Sequence, residues 1–76
     1  MGTSQTKENY KQSIDSLQKQ IKVYQARIAS LQEANKRTSN KYTKESNKRQ
    51  IENTRAEIKK CRESIARTRE TLKAMK

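Results

Sequence analysis

The chain has 76 residues, of which 29% are hydrophobic and 36% charged, with no Phe, Trp, Pro or His. So short and polar a chain cannot close a large globular core, which argues against a pocket-bearing enzyme. Nineteen Lys and Arg against eight Asp and Glu leave a formal charge of +11, which points to anionic partners.

The N-terminus, residues 1–6, reads as a flexible lead. It has no apolar stretch resembling a secretory signal, and no run anywhere in the chain is long enough for a transmembrane helix. Met1 and Gly2 with Thr6 fit the short N-myristoylation pattern, and so loose a motif is read as a chance match. With one cysteine and no histidine, neither an internal disulfide nor a zinc site is expected. A cytoplasmic setting follows as the expectation.

The first predicted element is a helix over 7–37. Its large apolar residues recur at steps of three and four: Ile14, Leu17, Ile21, Tyr24, Ile28 and Leu31, with Tyr10 extending the row backwards. This is a heptad seam, with apolar residues at positions a and d of the repeat. A turn is predicted over 38–43, where Thr38, Ser39 and Asn40 offer side chains that compete for backbone partners and where Asn tolerates the left-handed conformation. A second helix is predicted over 44–75, with the seam Ile51, Thr54, Ile58, Cys61, Ile65, Thr68, Leu72 and Met75.

Charge placement supports helix independently of the seams. Each of the eight acids has a base three or four residues later, as in Asp15 with Lys19, Glu33 with Arg37 and Glu57 with Lys60. This acid-before-base order contributes about 0.2–0.5 kcal/mol per pair on a helix. The two seams are out of phase: at about 100° per residue, one unbroken helix would carry them on opposite faces. A chain reversal resolves the conflict. In an antiparallel hairpin the residue numbers of each facing pair have a constant sum. That condition is met by Tyr10/Leu72, Ile14/Thr68, Leu17/Ile65, Ile21/Cys61, Tyr24/Ile58, Ile28/Thr54 and Leu31/Ile51. The expected fold is therefore all-α: a coiled-coil-like, antiparallel two-helix hairpin forming a single small domain over 7–76. So narrow a core suggests further assembly into a helical bundle.

The two flanks of the seam differ. On the g side, Ser13, Gln20, Arg27 and Ala34 face Gln50, Glu57, Ser64 and Thr71, and Arg27 is placed to pair with Glu57. On the e side, Lys11, Gln18, Gln25 and Gln32 face Arg55, Arg62, Arg69 and Lys76. Those four bases of the second helix form a ridge about 30 Å long at 1.5 Å per residue. A second basic cluster, Lys36, Arg37, Lys41, Lys44, Lys48 and Arg49, surrounds the bend with Glu45 as its one acid. With polar residues at the seam positions there, the tip is expected to be loose, apart from cover by Tyr42. These ten bases are the candidate sites for a partner or an anion.

No catalytic, cofactor-binding or metal-ligating residues are proposed. There is no Ser-His or Cys-His arrangement and no Gly-rich phosphate loop, and every carboxylate has a basic neighbour. Cys61 sits on the seam and reads as a small buried apolar group. The expected function is that of a non-enzymatic interaction or adaptor module. It would self-associate or dock onto an acidic helical protein through the Ile-rich seam and the basic flank. The alternative is a nucleic-acid binder that uses the same bases on phosphates. Peripheral contact with a membrane surface ranks below both.

Overall fold

The computed structural model describes residues 3–75, with side-chain surroundings from residue 6 onward. Two helices make up the fold, α1 (Thr3–Arg37) and α2 (Lys41–Ala74), lying side by side in a molecule 57 Å long. They form an antiparallel hairpin and are in contact along their length. α1 begins at Thr3, so residues 3–6 continue the helix. Met1 and Gly2, and with them the lipidation pattern, lie outside the described residues.

The turn is shorter than the sequence suggests, because α2 begins at Lys41. Asn40 explains the early start. Its backbone is extended, with φ −74° and ψ 117°, and its Oδ1 accepts hydrogen bonds from the Tyr42 and Thr43 amides at 2.9 and 3.1 Å. Asn40 is thus an N-cap, satisfying two amides that would otherwise lack partners, and it does not use the left-handed conformation expected of it. The Asn40 amide in turn donates to Thr38 Oγ1 at 3.2 Å. At the other end of α2, the Met75 amide closes the last turn on the Leu72 carbonyl at 3.1 Å.

Burial follows the seams. Among the described side chains, those that are buried or half-buried fall on two heptad rows, Ser64 excepted. The row on α1 runs from Lys7 to Thr38, and the row on α2 from Asn47 to Met75. Ile21, Ile58, Cys61 and Ile65 form the buried centre, with Ile14, Leu17, Tyr24 and Ile28 packed against it. Thr54 and Thr68 occupy seam positions without leaving a polar group stranded, because their hydroxyls donate to the Gln50 and Ser64 carbonyls one turn back at 2.7 and 2.8 Å. This local bond is what lets threonine replace an aliphatic in a narrow core.

Towards the bend the seam becomes polar and is bridged by a side-chain hydrogen bond. Asn47 Nδ2 donates to Asn35 Oδ1 across the helices at 2.9 Å. This pair has the same constant sum as the aliphatic layers, so the register expected from the sequence holds up to the last layers before the turn. The expected cover by Tyr42 is absent, since its side chain is 88% exposed. Lys41, Tyr42 and Thr43 fall opposite the turn itself, so the first turn of α2 projects beyond the end of α1 and Tyr42 has nothing to cover.

Candidate functional site

The N-cap at Asn40 changes the layout of the basic residues. Because α2 is helical from Lys41 onward, Lys41 and Lys48 stand in the same heptad row as Arg55, Arg62 and Arg69. The ridge and part of the tip cluster are therefore one feature. It is a line of five cations about 10.5 Å apart that runs about 42 Å along α2 at 1.5 Å per residue. Lys76 would extend it but lies outside the described residues.

All five side chains are exposed, and none makes an ion pair. Three ion pairs form among the described residues: Asp15 with Lys19 at 3.2 Å, Glu33 with Arg37 at 3.7 Å and Glu57 with Lys60 at 3.7 Å. Each joins neighbours on one helix and is well exposed, so each adds little to stability. The cross-helix pair expected between Arg27 and Glu57 does not form, because Glu57 turns to Lys60 one turn along its own helix. At the tip, Lys36, Arg37, Lys44 and Arg49 are exposed as well, and of these Arg37 alone is paired, with Glu33.

The two seams are not equally covered. Ile51, Ile58, Cys61 and Ile65 on α2 are buried, whereas Ile14, Leu17, Tyr24, Ile28 and Leu31 on α1 are half-buried. Leu72, near the end of α2, is also half-buried. On α1 only Ile21 is as well covered as the α2 isoleucines. The isoleucines of α2 are thus enclosed within the hairpin, whereas its flank is exposed.

Midway along that flank is an open groove of about 600 Å³, lined by Ile28, Ile58 and Ala66 together with Arg55, Lys59, Arg62 and Glu63. A smaller hollow of about 340 Å³ opens on the matching side of α1, beside Gln18, Ile21 and Gln25. The e rows of both helices contain no carboxylate. Cys61 is buried, as its seam position implies. Among the described residues, no group of three or more His, Cys, Asp or Glu side chains comes together, and no helix is long and apolar enough to cross a membrane. Compared with known proteins, the chain matches no family model, no curated protein and no solved structure.

Proposed function

We propose that the chain is a non-enzymatic interaction module, a helical hairpin that presents one long basic flank to an acidic protein partner. The observation that carries this reading is the row Lys41, Lys48, Arg55, Arg62 and Arg69, exposed and without an ion pair. Cations in an unpartnered line keep their full attraction for an incoming anion and speed its encounter. The g flank carries the small side chains Ser13, Ala34, Ser64 and Thr71 and only two charged ones, Arg27 and Glu57, so it is the flank on which a second hairpin would pack. Self-association there would complete a four-helix bundle and leave the basic row facing outward. The test is binding of a glutamate-rich polypeptide, followed by fluorescence anisotropy, to the protein and to its Arg55→Glu, Arg62→Glu, Arg69→Glu variant. Binding should be lost in the variant while helix content is kept; equal binding by both proteins overturns the reading.

A second reading, nucleic-acid binding, is favoured by the tip. The exposed Tyr42 lies at the same end of the hairpin as the exposed Lys36, Arg37 and Lys44, so a base could stack near bound phosphates. Its signature is affinity for DNA or RNA that falls steeply with salt and is lost in Tyr42→Ala with Lys44→Glu while the Arg55, Arg62 and Arg69 variant retains it.

A further inference from the structure

The basic flank has a spacing and an apolar lining as well as a charge. Its cations recur every seventh residue, about 10.5 Å apart. Between two of them, Arg55 and Arg62, lies the groove, whose lining includes Ile28 and Ile58 together with Lys59, Glu63 and Ala66. Ile28 is only half-buried, so the hairpin leaves an aliphatic surface open between two guanidinium groups. On the facing side of α1, the smaller hollow is lined by Gln18 and Gln25 together with Asp15, Lys19 and Lys22.

We propose that this flank seats a third helix, supplied by a partner protein, that carries carboxylates at seven-residue intervals and an aliphatic side chain over Ile28 and Ile58. The inference rests on the reading of the flank as an acidic-protein contact and specifies the form of the partner. A partner helix that winds gently with the hairpin, as in a coiled coil, repeats its faces at the same interval as the row and so meets every cation in turn. Duplex nucleic acid does not match this surface. Its strands wind once in about 34 Å, so a straight row about 42 Å long leaves any one strand, and a phosphate backbone offers nothing to Ile28 and Ile58. A second copy of the chain is disfavoured because it brings the same +11 charge. Exposed ion pairs are individually weak, so the buried aliphatic anchor supplies the selectivity, as buried anchors do at other interfaces.

The test uses the full chain and two synthetic helical peptides of identical composition. One carries Glu at every seventh position with Leu placed to face the groove; in the other the same residues are permuted so that the heptad is lost. The ordered peptide should bind roughly tenfold or more tightly than the permuted one and gain helicity on binding. Ala66→Trp, which fills the groove from an exposed position, should remove that preference while the circular dichroism spectrum of the free hairpin is unchanged. Equal affinity for the two peptides overturns the third helix and leaves the broader acidic-protein reading standing. Binding of neither peptide overturns both. A 24-base-pair DNA duplex that binds more tightly than the ordered peptide and displaces it overturns the proposal in favour of nucleic acid.

Discussion

Asn47 donates its side-chain amide to the Asn35 carbonyl oxygen at 2.9 Å, across the helices and beside the bend. Asn47 is only 9% exposed, so the bond replaces water that neither amide can fully recover. Removing one partner strands the other, whereas replacing both removes the need for a bond. Asn47→Leu should therefore destabilise the hairpin by about 1–3 kcal/mol, and Asn35→Leu with Asn47→Leu should restore or exceed the original stability. Urea unfolding followed by circular dichroism reads both. A double variant less stable than the single one would show that the bond adds more than the satisfaction of two polar groups.

The same pair reports the register directly. In a Cys61→Ala background, Asn35→Cys with Asn47→Cys should form a disulfide within one chain on mild oxidation, because the two side chains already touch. Non-reducing electrophoresis should show a faster-migrating monomer. Crosslinked dimers as the main product would mean that the halves pair between chains and not within one.

Ile58 is 6% exposed at the centre of the core. Ile58→Ala should cost about 2–5 kcal/mol, which so small a core can barely absorb, and Ile58→Asp should unfold the chain. Tyr42→Ala should change stability by no more than about 0.5 kcal/mol, since Tyr42 packs against nothing. Thermal melts of the three variants separate core from tip. A large loss with Tyr42→Ala would mean that Tyr42 has a structural contact after all.

Asn40 sets where α2 starts. Asn40→Ala should cost about 0.5–2 kcal/mol and Asn40→Gly only a few tenths. In hydrogen exchange the loss of protection should centre on the Tyr42 and Thr43 amides, the two that Asn40 accepts from. Unchanged exchange at both amides would rule out the cap.

The seams and their antiparallel register were legible in the sequence because apolar residues such as Leu17, Ile21, Ile58 and Ile65 recur at heptad spacing often enough to survive the polar positions at Thr54, Thr68, Asn35 and Asn47. The helix ends were harder to read. With no Pro and no Gly beyond Gly2, the boundary depends on one side-chain bond at Asn40, and asparagine suits a cap as well as a left-handed turn. That single residue also separated Lys41 from the ridge, since a turn drawn through position 43 hides its place in the same row as Lys48 and Arg55. The Arg27 and Glu57 pairing failed for another reason. A carboxylate flanking the seam can turn to a base on its own helix, and Glu57 takes Lys60.

Salt should stabilise the protein. The cations of the row lie about one Debye length apart at 0.1 M salt, and the three ion pairs that salt would weaken are exposed and local. Raising sodium chloride from about 20 to about 500 mM should therefore increase the melting temperature, as screening relieves repulsion among the bases. A falling melting temperature would show that ion pairing outweighs that repulsion.

The three-residue link between Arg37 and Lys41 also bears on how two chains can combine. Many hairpins exchange arms when their hinge straightens into continuous helix, giving an intertwined dimer. Here, straightening would rotate Ile51 by roughly half a circle relative to Leu31 at about 100° per residue, and a rod so formed would have its two sticky faces back to back. Arm exchange through a straight rod is thus blocked by angular phase, and an exchanged dimer would have to keep a bend at this link.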